Sequence, residues 1–154
     1  MGQQQLLLLV LGIVIVGLAV VAGINAFDEN QKKSSQDALT NEAFRIASDA
    51  KAWYNKPKQY DGGGSNSSNL KTITWADIGV SDSTITDNDA SNADGNYETP
   101  WGQVSMSQGN PLTFQLQTNQ SDSKFGDVTF NPDNGSGNQI NFSSTPGSDS
   151  DISK

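Results

Sequence analysis

Nineteen uncharged residues, LLLLVLGIVIVGLAVVAGI, run without interruption from Leu6 to Ile24, and the first charge in the chain is Asp28. At about 1.5 Å of rise per residue, a helix of this length is enough to cross the roughly 30 Å hydrocarbon core of a bilayer. The rest of the chain is polar, acidic and rich in Asn, Ser, Gly and Asp. A water-soluble body joined to a segment apolar on every side needs something beyond itself to cover that segment. What covers it is the functional question.

The residues that follow bear on the answer. No glycine lies between Gly23 and Gly62, and the first proline is Pro57. Leu39, Ala43, Ile46, Ala50 and Trp53 recur at spacings of four, three, four and three, which puts them in a stripe on one helix face. Glu42, Arg45, Asp49 and Lys51 fall off that stripe, so the pattern is amphipathic. Pro57 drives its predecessor Lys56 out of helical geometry and ends the element. Run and stripe therefore read as one helix from about residue 3 to 55, roughly 80 Å long. Residues 3–27 form its all-round apolar part and 28–55 its amphipathic continuation. Such a helix makes physical sense if the first part is buried among other helices and the second packs on the body of its own chain. The residues expected at the first interface are Leu6, Leu7, Leu8, Leu9, Val10, Leu11, Ile13, Val14, Ile15, Val16, Leu18, Val20, Val21, Ile24 and Phe27. Those expected at the second are Leu39, Ala43, Ile46, Ala50 and Trp53.

After the helix, residues 56–69 contain DGGGSNSSN and read as a flexible glycine–serine loop. Residues 70–142 read as a globular β head. Val104 and Met106, then Leu112, Phe114 and Leu116, then Val128 and Phe130, then Ile140 and Phe142 alternate with polar residues at period two. Turn chemistry separates the runs, as in Gln108-Gly109-Asn110-Pro111 and Pro132-Asp133-Asn134-Gly135. The pattern predicts an α+β fold, a long N-terminal helix on an antiparallel sheet of about four strands with one wet face. Thr74 to Gly79 reads as a short capped helical turn. Residues 143–154 read as a loose Ser/Asp-rich tail.

Composition narrows the function classes. Cysteine and histidine are both absent, so there is no disulfide, no thiolate metal site and no imidazole base. Only Ser–Lys or carboxylate pairs remain for covalent or acid–base chemistry, and none has a recognisable context, so an enzyme is not expected. Residues 1–59 carry six Lys/Arg against five Asp/Glu, and residues 60–154 three against twelve. An acidic head repels phosphate backbones, which argues against nucleic acid as a partner. Trp53, Trp75 and Trp101 are expected in core or helix–sheet packing rather than as a ligand platform.

Other readings of the apolar run fit less well. A signal peptide wants a basic n-region, a shorter apolar stretch and a small-x-small cleavage site. MGQQQ carries no base, and only Ala22-Gly23-Ile24-Asn25-Ala26 resembles a cleavage region. N-myristoylation of Gly2 would want Ser or Thr where this chain has Leu6. A plain single-pass anchor remains an alternative.

This arrangement, with Gly2 followed by an apolar half-helix and a Thr99-Pro100-Trp101-Gly102-Gln103 turn entering the sheet, resembles the type IV pilins and the pseudopilins of type II secretion. The resemblance covers the architecture of most of the chain and is strongest over residues 2–55. It implies a short leader of residues 1–2, cut after Gly2 by a prepilin peptidase to leave Gln3 first, with processing or methylation of the new N-terminus. It further implies a structural filament subunit whose apolar half-helix waits in the inner (cytoplasmic) membrane. Assembly machinery would then move it into the core of an extracellular homopolymer of identical copies. Three departures stand out: no Lys or Arg precedes Gly2, Leu7 occupies the fifth mature position where the bacterial family usually has Glu, and no cysteines close a C-terminal loop. The alternatives are a pseudopilin forming a short piston in a secretion system and a monomeric membrane-anchored surface binding domain.

No cofactor is expected. Asp82, Asp87, Asp89 and Asp94 offer oxygen ligands at short spacing for Ca²⁺, a feature known among major pseudopilins, but without DxDxDG spacing a solvated acidic loop is the commoner explanation. Sequons at Asn66, Asn119, Asn134 and Asn141 are glycan candidates, in a chain where Asn and Ser are common enough to produce sequons by chance.

Overall fold

The structure, a computed structural model, describes residues 2–86, 95–119, 124–135 and 139–144. The chain divides into two compact units, Met1–Ser34 and Ser35–Lys154. Helix α1 is continuous over Gly2–Asn55 and so contributes to both.

In the first unit every described residue is helical and exposed. The apolar run has no proline to break it, and its Leu, Ile, Val and Ala side chains leave no polar group to compete with the backbone. Gly12, Gly17 and Gly23 have nothing within 4 Å of where a Cβ would stand, so no neighbour in the chain requires them to be small.

The second unit holds the core. Single 3₁₀ turns at Lys58–Tyr60, Ser67–Lys71, Ala76–Ile78 and Asp82–Thr84 follow α1. Five strands come next: β1 Tyr97–Thr99, β2 Gly102–Ser107, β3 Leu112–Thr118, β4 Lys124–Phe130 and β5 Ile140–Ser143. They form one antiparallel sheet in the order β1-β2-β3-β4-β5, a meander in which each strand pairs with its neighbour in sequence. The strand count corrects the expected four. The unforeseen strand is β1, whose three residues are too few to display an alternation; it is held by Glu98 opposite Gln103 and Thr99 opposite Gly102.

Register sorts the sheet into two faces. Met106, Phe114, Val128 and Phe142 stand in one cross-strand row, and Leu112, Phe130 and Ile140 in another. Because side chains alternate at period two, Ser105, Gln115 and Asp127 fall in a row on the opposite, wetter face. The apolar face meets Leu39, Ala43, Ile46, Ala47 and Ala50 of α1, with Trp75 completing the cluster. Trp75 is wholly buried, packs near Phe114 at 6.3 Å between ring centroids, and donates its indole N–H to Gly95 O at 2.8 Å. Ala47 extends the stripe read from sequence, and Tyr54 joins it edge-on to Phe130 at 5.6 Å. Phe142, although in register with the core row, is 40% exposed because β5 is the edge strand.

The segment expected as a flexible linker is tied to the end of the helix. Gly63 N–H donates to Trp53 O at 2.9 Å, Gly64 N–H to Lys56 O at 2.9 Å and Ser65 N–H to Tyr54 O at 2.8 Å, which satisfies carbonyls that a helix terminus leaves free. The approach is so close that a Cβ on Gly62 would lie 2.2 Å from Lys56 O. Here glycine serves packing. Further on, the Thr74–Gly79 turn is capped reciprocally: Thr74 N–H and Oγ1 donate to Asp77 Oδ2, and Gly79 closes it at φ 78°.

The loop cap yields a clear contrast. Gly62→Ala should destabilise the head by about 1–3 kcal/mol, the usual cost of overpacking. Gly135→Ala, where nothing lies within 4 Å of a Cβ, should stay within about 0.5 kcal/mol of the parent. Thermal melts followed by circular dichroism on the full chain would measure both.

Candidate functional site

The largest unsatisfied surface is the apolar run itself. From Leu6 to Phe27, each of its large apolar side chains is between 50% (Leu11) and 69% (Leu7) exposed. The exposed residues occupy consecutive positions, so they cover the helix all round, unlike the single stripe at Leu39–Ala50. This helix is long and apolar enough to cross a membrane, by length and composition. The first charges after it, Asp28, Glu29, Lys32 and Lys33, sit on the exposed helix surface, with Glu29 and Lys33 paired at 3.5 Å. Gly2 and Gln3, the residues expected at a processing site, are both helical.

A second feature lies where α1 crosses the β1 side of the sheet. Tyr97 donates its hydroxyl hydrogen to Glu42 Oε1 at 2.9 Å, and Arg45 donates to the same oxygen at 2.7 Å through Nη2 and to Asp49 Oδ2 at 3.0 Å through Nη1. The hydrogen bond from Arg45 holds the Glu42 carboxyl below the usual carboxylate range against the opposing effect of partial burial, and Tyr97 adds to the lowering. Burial and the neighbouring Glu42 carboxylate push the Tyr97 phenol up. Sequence placed Glu42, Arg45 and Asp49 on a solvated face. Their partner Tyr97 is 55 residues from Glu42, on the strand too short to read, and no local pattern announces it.

The remaining sequence candidates do not converge. Asp82 opens a 3₁₀ turn, whereas Asp87, Asp89 and Asp94 lie outside the described residues. Among the described residues no group of three or more acidic side chains is placed to hold a metal ion. Asn66 Oδ1 accepts from Ser68 N–H as a turn cap, and Asn119 Nδ2, the atom a glycan would take, donates to Pro100 O at 3.2 Å. Asn134 is half-buried and Asn141 exposed on β5. Trp53 is half-buried and lines a polar cleft of about 330 Å³ with Lys58, Asp61, Gly62, Asn69, Thr72 and Asp77. Among the described residues its indole N–H meets no acceptor, and it is sealed from solvent. Trp101 corrects the expectation of a core tryptophan: it is 45% exposed, in the turn between β1 and β2.

Compared with family models, curated proteins and solved structures, the chain matches none.

The Glu42 latch sets an acid dependence. A carboxyl whose folded pKa is depressed contributes stability that is complete above the ordinary glutamate value of about 4.3 and is lost as the pH falls through the lower folded value. Glu42→Gln should therefore flatten the decline in melting temperature below about pH 4.3. At neutral pH it should cost no more than about 1 kcal/mol, because Arg45 is half exposed to water. Melts of both proteins between neutral and acid pH would test this.

Proposed function

We propose that the chain is a structural subunit of a pilus-like extracellular filament. Its residues 3–27 pack among the same residues of neighbouring copies, and its acidic heads face solvent. The observation that carries this reading is the change in apolar geometry along one unbroken helix, all-round and exposed over Leu6–Phe27, one-sided and buried over Leu39–Ala50. A one-sided stripe needs one cover, which the sheet supplies. An all-round surface needs several, and identical helices offer them in the same length and chemistry.

Energetics support a polymer of this kind. Full burial of an aliphatic side chain contributes about 1.5–3 kcal/mol relative to exposure. Once the run has left the bilayer, whose tails are as apolar as Leu, a dozen such side chains per subunit hold the copies together in water against an association cost of roughly 4–15 kcal/mol. Before assembly the same run suits a bilayer, so a cytoplasmic membrane is the reservoir from which assembly machinery draws subunits after a prepilin peptidase acts at Gly2. The run's uncharged length supports that step.

Electron microscopy of material sheared from producing cells should show helical fibres composed of this chain. Recovery solely as detergent-extracted monomer would sink the reading. Replacing residues 6–24 with an unrelated apolar helix of equal length should abolish fibres while leaving the chain in the membrane, whereas a monomeric anchored domain would keep its function. N-terminal sequencing of the fibres should begin at Gln3.

A further inference from the structure

The wetter face of the sheet carries three side chains that neither the core nor the proposed filament uses. The register of β3 on β4 shifts between Leu116 and Gln117, so Phe125 is passed over and Lys124 stands opposite Gln117. Strict alternation counted back from Asp127 would turn Lys124 to the core face. The shift puts it instead on the wetter face, with Gln115 and Asp127. There Lys124 Nζ donates to Gln115 Oε1, which sets an amine beside a carboxamide carbon. Asp127 lies directly across from Gln115, and side chains so placed stand about 4.5–5.5 Å apart at Cβ. All three residues are half-buried.

The pairing is not the one that charge favours. Hydrogen bonds between two ionised groups are stronger than those to a neutral amide, so a lysine ordinarily takes a carboxylate first. Here Asp127 Oδ1 is sealed from solvent and meets no donor among the described residues, while Lys124 donates to the amide across the ladder. A sealed acceptor without a donor opposes folding, so the arrangement needs another reason. Chemically it is a nucleophile, an electrophile and a proton acceptor on neighbouring positions of one rigid sheet.

We infer that Lys124 and Gln115 join in an isopeptide bond, with Asp127 carrying the protons. The bond from Lys124 Nζ to Gln115 Cδ forms, and the Cδ–Nε2 bond of Gln115 breaks. Nζ begins as an ammonium with three hydrogens and ends as an amide with one. The two it gives up pass through the Asp127 carboxylate to Nε2, which departs as ammonium. Charge is conserved, and no oxidant, cofactor or second protein is consumed. The bond braces β3 to β4 where the ladder changes register, in a chain with no cysteine to do so by a disulfide. It does not depend on the filament reading, and either can fail without the other.

No Lys or Arg lies between Lys71 and Lys124 or between Lys124 and Lys154, so trypsin reads the bond directly. The full-length chain, extracted in detergent and digested, should yield residues 72–154 as one peptide, uncut after Lys124 and lighter than its sequence mass by one ammonia. Lys124→Arg should restore the cut and release residues 72–124 without that loss. Asp127→Asn should slow the appearance of the linked peptide in newly made chain by about a hundredfold or more. Cutting after Lys124 with no loss of mass in the parent overturns the inference, whatever the variants do. An uncut parent peptide that has lost no ammonia overturns it equally. Linkage at the parental rate in Asp127→Asn overturns the part assigned to Asp127.

Discussion

Three alanines, Ala43, Ala47 and Ala50, share the buried face of α1 with Leu39 and Ile46, and all are wholly covered by the sheet and its neighbours. Small side chains bring the helix axis close to the strands, so the volume of the core is supplied from the other side by Phe114, Phe130 and Trp75. The rest of the head follows from that close approach. Trp75 must fill the space beside the helix, and its indole N–H then needs the Gly95 carbonyl. The loop after Asn55 must double back at once, and it does so with glycines packed against the last helical turn.

A single helix covers the middle of a five-stranded sheet better than its edges, and the two edges are finished differently. Towards β1, Tyr97, Glu42, Arg45 and Asp49 form a hydrogen-bonded latch whose charges remain wet. Towards β5, Phe44 and Phe142 meet at a tilted angle and leave a third or more of their surface open. The latch fixes the angle of the helix on the sheet through directional bonds. The aromatic edge fixes nothing by direction and leaves apolar area available.

Much of this was legible in the residues. The stripe from Leu39 to Ala50 announces a helix on a sheet, and the period-two runs of β2, β3 and β4 announce their inward residues, because both signals are local and repeat several times. What was not legible was non-local or too short to repeat. β1 has three residues and exists because Glu98 and Thr99 find Gln103 and Gly102 across a tight turn. Ile140 and Phe142 carry the pattern of a covered strand, but sequence does not reveal which strand ends a sheet. Glycines 62 to 64 have the composition of a linker, and only the carbonyls of Trp53, Tyr54 and Lys56 explain why they pack instead. At the candidate site, the apolar run is unmistakable in sequence, while the exposure of Trp101 depends on how Asn119 and Gly102 hold its turn.

In the proposed filament these surfaces divide the work of assembly. Hydrophobic burial is strong but non-directional. Burial alone does not fix how far one helix turns or slides against the next, because Leu, Ile and Val recur all along the run, although the shapes of those side chains decide whether a given run packs at all. The run from Leu6 to Ile24 therefore accounts for the strength of association and leaves its geometry open. Geometry must come from contacts that are few, rigid and unlike one another, and the head is where such groups occur. Head contacts then set the register of a polymer whose cohesion lies in its helices.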